Sequence, residues 1–290
     1  MIPLRDNVPT ARFPVVTVAL IAICVAVFAW QLSLSGSEEF SSQWPGISER
    51  DAKTIEYGAI PYRLLHPGED CALGAEAVSP TVAEPAVVCQ GTDEYREASG
   101  LHEQNPGSIP PPLPLDAVPW YLTILTSMFM HGGFLHIAFN MLFLWIFGNN
   151  VEDSMGRVPF LGFYLLGGAA AVYAQSILDP GSTVPTIGAS GAVAAVLGGY
   201  LLLLPRARVL TLVFLVFLIT IVEIPAYVVL GIWFVLQFLP AIGQATATDV
   251  AGEGVAYMAH VGGFVFGLAL IKLFARRPPG RAPAPQYPVG

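Results

Sequence analysis

The chain has 290 residues, 54% of them hydrophobic and only 12% charged, with a mean hydropathy of +0.62. Soluble domains carry about 25% charged residues, so composition excludes an ordinary soluble protein and points to a membrane protein. The net charge of −8 is placed unevenly along the chain and gives no ground for a nucleic-acid partner.

In chain order, the opening MIPLRDNVPTARFPVV is too polar for a removable secretory signal, and the apolar run after it is too long. Residues 1–13 therefore read as a cytoplasmic N-terminus and 14–34 as a retained first span, since about 20 apolar residues cross a hydrocarbon core. Cys24, inside that span, reads as packing. Residues 35–119 follow as an extracytoplasmic loop holding 14 of the 21 acidic residues against four basic ones, with much Pro, Gly and Ser. A solvated loop is the plain reading, and substrate screening or partner binding the sharper one. Cys71 and Cys89 lie in this loop, on the side where oxidation is permitted, so a disulfide between them is expected. No His or Cys pair has metal-ligand spacing, and no metal is expected.

Five more apolar runs read as spans: 121–147, 159–178, 187–204, 225–241 and 254–275. The stretch VLTLVFLVFLITIV, 209–222, is short for a crossing. Without a crossing there, Arg5, Arg12, Arg157, Arg206, Arg208, Lys272, Arg276, Arg277 and Arg281 share one side. The short outer connections 179–186 and 242–253 then hold no Lys or Arg, as the positive-inside rule expects. The stretch 209–222 is thus expected to be interfacial or partly embedded, and both termini cytoplasmic. The Pro-rich tail, 276–290, reads as disordered. The low Lys count and Ala-, Gly- and Pro-rich composition favour a bacterial cell membrane.

Ionisable groups at bilayer depth are costly and usually functional. The run HGGFLHIAFN, 131–140, places His136 and Asn140 four residues apart, one turn apart on one helix face. Either they point at one object in the bundle or they bond to each other and to nearby backbone. His131 reads as structural, bracing the loop. In the last span Ala259, Gly263 and Gly267 recur every four residues beside His260, a small-residue stripe that lets membrane helices approach closely. The run GASGAVAAVLGGY, 188–200, is equally stripped of bulk around Ser190, with Gly188 and Gly191 beside it. A serine is a weak nucleophile without an adjacent base, and histidine is the usual one. Ser190 with His260 would make such a pair. Asn140, His136 and the Ser190 backbone N–H could then donate to the oxyanion formed on a peptide carbonyl. No cofactor is implied by this set.

These three motifs, in this order on the second, fourth and sixth spans, resemble the rhomboid family of intramembrane serine proteases. The resemblance covers about 115–275 plus the first span. It implies an all-α polytopic membrane protein, a six-helix rhomboid-type transmembrane bundle with a large outer loop between spans 1 and 2, whose catalytic core is 120–275. It implies Ser190 as nucleophile and His260 as base, without an acidic third member, and His136, Asn140 and the Ser190 amide as the oxyanion hole. It also implies a short central helix that starts at the serine, below a cavity open to the outside. Single-pass transmembrane protein substrates and the lipid bilayer are the expected partners, and oligomeric state is left open. The fifth span would be a lateral gate, with Trp233 and Phe234 packing it. Many members carry Trp-Arg before the second span where this chain has Trp120-Tyr121, so arginine bracing of that loop is expected to be absent. Two rivals stay open: a non-proteolytic relative that binds membrane proteins, and a small transporter, against which the absence of an internal repeat speaks.

Overall fold

The computed structural model describes residues 1–34, 47–79, 82–104, 111–115, 118–215, 218–246 and 255–276. A short strand, β1 (Ile2–Asp6), precedes the apolar helix α1 (Val15–Ser33). Next come α2 (Glu49–Glu56), α3 (Pro61–Leu65), β2 (Cys71–Ser79), β3 (Val82–Cys89), α4 (Asp93–Gln104) and β4 (Leu113–Pro114). The rest of the chain is α5 (Trp120–Thr126), α6 (Phe134–Met155), α7 (Arg157–Leu178), α8 (Ser190–Leu203), a hairpin of β5 (Arg208–Leu215) and β6 (Leu218–Pro225), α9 (Ala226–Thr246) and α10 (Tyr257–Phe274).

Helices α1, α6, α7, α9 and α10 are each long and apolar enough to cross a membrane. The 14 residues of α8 reach only about 21 Å at 1.5 Å per residue, less than a hydrocarbon core of about 30 Å. This helix is the centre of the bundle: every residue from Gly191 to Tyr200 is buried. Its lack of bulk explains its position. A Cβ on Gly198 would lie 2.1 Å from the Phe264 carbonyl oxygen, and one on Gly267 would lie 2.0 Å from that of Ala195. A Cβ on Gly263 would meet the Gly191 carbonyl oxygen at 2.1 Å, so α8 and α10 touch backbone to backbone. The expected small-residue stripes are thus facing halves of one contact.

Three expectations need correction, and a fourth stretch takes a form that the sequence left open. The run 121–147 is not one span. After α5 a 3-10 turn, Ser127–Phe129, leads into extended backbone at Met130 and Gly133, and α6 starts only at Phe134. It then runs past 147 to Met155, widening to π geometry at Leu144–Gly148, and ends at Gly156, whose φ of +86° an L side chain rarely adopts.

In the stretch 209–222, expected to be interfacial or partly embedded, the described residues are extended. They make the antiparallel β5–β6 hairpin, and β1 adds a third strand through β5. Branched Val, Ile and Thr favour this extended form, and pairing with β1 satisfies backbone groups that a short apolar segment would otherwise leave open.

The loop 35–119 is more than a solvated loop. Among its described residues is a three-stranded sheet, ordered β3-β2-β4, with Cys71 and Cys89 joined as a disulfide where β2 and β3 begin and end their pairing. This unit docks on the bundle through the Ala59–Thr186 bridge, with N···O distances of 3.0 and 2.8 Å.

Arginine bracing, expected to be absent, is supplied from elsewhere: buried Arg63 of α3 donates to the Val118 carbonyl, two residues before Trp120. The tail beyond Arg276 lies outside the described residues.

At the other end of the bundle two buried polar knots tie the first elements to the core. The Glu152 carboxylate accepts from the backbone N–H of Val16 and of Thr17 at 3.0 and 2.8 Å, and from the Thr17 hydroxyl at 2.8 Å. It thereby caps a helix that has no side-chain cap from its own N-cap residue. The Asp6 carboxylate accepts from the Tyr200 hydroxyl at 2.6 Å and the Asn150 amide at 2.7 Å, joining β1 to the far end of α8. Burial pushes the Asp6 carboxyl above its ordinary 3.8, while the Tyr200 bond pulls it back.

Candidate active site

Ser190 is the first residue of α8, and Gly188 sets the approach to it. The φ of Gly188 is +112°, and a Cβ there would lie 2.6 Å from His136 Nε2, so only glycine fits beneath that imidazole. The Gly188 N–H donates to the Ser127 carbonyl at 2.8 Å, fixing the turn. From here Ser190 Oγ lies 2.8 Å from His260 Nε2, because the contact of α8 with α10 leaves no side chain between them.

The tautomer of His260 is set from its other side. Its Nδ1 lies 2.7 Å from Oε1 of Gln237 on α9. An amide oxygen only accepts, so Nδ1 carries the proton and Nε2 presents a lone pair to the Ser190 hydroxyl. Ser190 is thus the donor and His260 the acceptor, the polarity that a nucleophile and its base need.

His136 has the opposite tautomer. Its Nδ1 accepts from the Gly132 N–H at 3.4 Å, leaving the proton on Nε2, which faces Gly188 beside Ser190. Asn140 is buried one turn on, and its Nδ2 donates to the His136 carbonyl at 2.8 Å. Asn140 thus bonds to nearby backbone with one N–H and has a second N–H left over. His136 and Asn140, with Ser190 and His260, line one cavity of about 980 Å³. Phe139, Phe143 and Trp233 give its walls their apolar character. Such a site offers a hydroxyl beside an imidazole nitrogen that can accept its proton, and N–H donors, in one cavity.

His131 does not line the cavity but meets the His136 ring edge-on, centroids 5.2 Å apart. It is fully buried, its Nδ1 contacts the Phe129 carbonyl at 3.1 Å, and its backbone is gripped on both sides by Gln31 of α1. The Gln31 amide donates to the His131 carbonyl at 3.2 Å and accepts its N–H at 3.0 Å. The two gate candidates part company. Trp233 lines the cavity, its ring 6.0 Å from that of His260 and 6.5 Å from that of Phe143 on α6. Phe234 stacks on Phe264 at 4.7 Å and lies outside the cavity lining. Sequence reasoning missed Gln31 and Gln237. Both are uncharged amides near the end of an apolar run, and the sign available was that a membrane segment rarely keeps a polar group without a partner. It also missed that the docked unit between α1 and α5 reaches the rim, where Pro61 lines the cavity and the Tyr62 N–H donates to the Ser182 carbonyl at 3.0 Å.

The sequence model of the rhomboid domain matches residues 119–277, more than half of the chain. Over 158 residues the chain is 29% identical to "Rhomboid protein 1, mitochondrial" of Saccharomyces cerevisiae, covering 53% of this chain and 42% of that protein. It is 28% identical over 156 residues to the human "Presenilin-associated rhomboid-like protein, mitochondrial", covering 50% of this chain and 36% of that protein. A shorter match, 40% identical over 78 residues, joins it to "Rhomboid protease GluP" of Bacillus subtilis, covering 27% of this chain and 15% of that protein. The chain thus spans less than half the length of each of these relatives.

Proposed function

Because this chain belongs to the rhomboid family and is an integral multi-pass membrane protein, we propose that it is an intramembrane serine endopeptidase acting on single-pass transmembrane proteins. The observation that carries this reading is the 2.8 Å contact of Ser190 Oγ with His260 Nε2 at the wall of the cavity. In the proposed reaction Ser190 Oγ attacks a peptide carbonyl carbon as its proton passes to His260 Nε2. The carbonyl oxygen becomes an oxyanion held by the Ser190 backbone N–H, the His136 Nε2–H and the free Asn140 amide N–H. Each such donor is worth about 3–4 kcal/mol where water is scarce. The C–N bond then breaks, His260 returns its proton to the leaving amine, and water drawn into the cavity hydrolyses the acyl-serine by the same steps.

A carbonyl already bonded inside a helix is hidden, so substrates with Gly or Pro near the cleaved bond are the ones that open. We place the basic end of the bundle, with Arg5, Arg12, Arg157, Arg206, Arg208 and Arg276, in the cytoplasm or its organelle equivalent. The relatives bear mitochondrial as well as bacterial names, which does not favour the bacterial cell membrane expected from composition.

The test compares the wild-type chain with Ser190→Ala in liposomes, each with a labelled single-pass substrate whose helix contains Gly and Ala. Cleavage by the wild type that vanishes in the variant is the expected result. Equal cleavage by both would remove Ser190 as the nucleophile. A fluorophosphonate that labels the wild type and not the variant checks the same hydroxyl without a protein substrate. An unlabelled wild type would favour a non-proteolytic membrane-protein binder.

A further inference from the structure

The reaction as drawn uses two residues and three donors, yet a third side chain touches the base. Gln237 is four residues after Trp233 on α9, so both project from one face of that helix, toward His260 and the cavity. Without an acceptor at Nδ1 the neutral imidazole is free to place its proton on Nε2. That nitrogen would then face the Ser190 hydroxyl as a donor and could not take its proton. The family resemblance implies a pair with no third member, and here an uncharged amide takes the place that would settle the tautomer.

The element bearing this amide is held on one side only. Ile232, Val235, Leu236, Phe238 and Leu239 of α9 are exposed, while Trp233 and Phe234 pack on Phe264 with ring separations of 5.9 and 4.7 Å. An outward displacement of α9 therefore opens the cavity laterally and withdraws Gln237 from His260 in the same movement.

We propose that Gln237 is a positioning residue that holds His260 in the tautomer able to accept the Ser190 proton, so that the pair is aligned only while α9 is seated. This rests on the reading of Ser190 and His260 as nucleophile and base. Its consequence is that a substrate entering past α9 meets a disarmed pair, and α9 must close on it before the serine is activated. Opening the gate and attacking the carbonyl become successive events.

The test reads the reactivity of Ser190 directly. With a fluorophosphonate the Ser190 Oγ–P bond forms, the P–F bond breaks, fluoride leaves and His260 takes the hydroxyl proton. The rate is measured in liposomes at pH 8 for the wild type, Gln237→Leu and Gln237→Glu, with the thermal stability of each recorded. Leucine keeps nearly the same volume and loses the acceptor, whereas glutamate keeps an acceptor oxygen in the same place. Misplacing a reacting group costs up to about 10²-fold, so Gln237→Leu is expected to label about 10- to 100-fold more slowly at unchanged probe affinity, and Gln237→Glu close to the wild-type rate. Labelling of Gln237→Leu at the wild-type rate, or equal slowing of both variants, would overturn the proposal and leave Ser190 and His260 as the reacting pair.

Seating is tested by a double-mutant cycle. Phe234→Ala, which loosens α9 from Phe264, is expected to slow labelling in the wild type and to add nothing in the Gln237→Leu background. Full additivity would overturn the link between α9 and the base. Because the probe needs no protein substrate, these outcomes stand apart from whether any chosen substrate is cut.

Discussion

Ser190, His260, His136 and Asn140 lie on three helices and are brought to one cavity by residues that have no functional groups at all. Gly188 is the clearest case, since its positive φ and the 2.6 Å that a Cβ would leave to His136 Nε2 make it irreplaceable there. At the opposite end of α8, Asp6 is the residue with a titration to read. Burial raises its carboxyl above 3.8, so between 3.8 and its folded value the undocked chain ionises first. Docking of β1 therefore weakens as pH rises through that window, and above it the Tyr200 hydroxyl and the Asn150 amide hold the ionised carboxylate beside the β5 pairing. Tyr200→Phe removes one bond to a charged group, worth about 1.5–3 kcal/mol. The expected outcome is faster amide hydrogen exchange in Ile2–Asp6 at neutral pH, with less difference from the wild type near pH 3. Unchanged exchange at neutral pH would show that the pairing with β5 and the Asn150 bond to Asp6 hold β1 without the Tyr200 hydroxyl.

Among the elements, the contact of α8 with α10 decides whether there is a site. Gly198→Ala would place a Cβ 2.1 Å from the Phe264 carbonyl oxygen, a backbone atom that cannot swing aside. Overpacking of this kind costs about 1–3 kcal/mol or more. Since the two helices must separate to relieve it, His260 would draw away from Ser190. Gly198→Ala is expected to lower the thermal unfolding temperature in detergent and to slow fluorophosphonate labelling together. A variant that loses neither would mean the helices can slide without consequence for the contact of Ser190 with His260. By contrast Gly231, which has nothing within 4 Å of its Cβ position, is expected to accept alanine without loss in the same two measurements.

For the whole molecule, the unit formed by the described residues of 47–115 and the bundle are linked at the rim of the cavity rather than merely tethered. The Ala59–Thr186 bridge holds the segment that leads into Gly188 and Ser190, and Gln31 donates both to His131 and, at 2.8 Å, to Thr54 of α2. The disulfide closes a loop with a sequence separation of 18, for which chain entropy predicts about 3 kcal/mol. Replacing both Cys71 and Cys89 with serine is therefore expected to expose 47–115 to limited proteolysis while α6 to α10 stay protected. Under the proposed function, cleavage of a membrane substrate should slow more than labelling by the small probe, because the rim and not the Ser190–His260 contact is loosened. Resistance equal to the wild type would place the stability of this unit in its docking instead.

Much of this was legible in the sequence because it rests on local chemistry. Apolar length marks helices, small residues at a spacing of four mark close approach, and His136 with Asn140 share a face by helical geometry alone. The family of the chain was legible for the same reason, since its motifs are short and contiguous. What tertiary structure decided is where pairing reaches across the chain. The stretch 209–222 becomes strands because β1, some two hundred residues earlier, is there to pair with it. The break before Phe134 depends on a turn clamped by Gln31, a hundred residues away. Gln237 is one amide within an apolar run in the sequence, and only the packing of α9 against α10 puts its oxygen on His260 Nδ1. Spacing within a helix is fixed by the covalent chain, whereas the partner of a buried polar group is chosen by whichever distant element satisfies it at least cost.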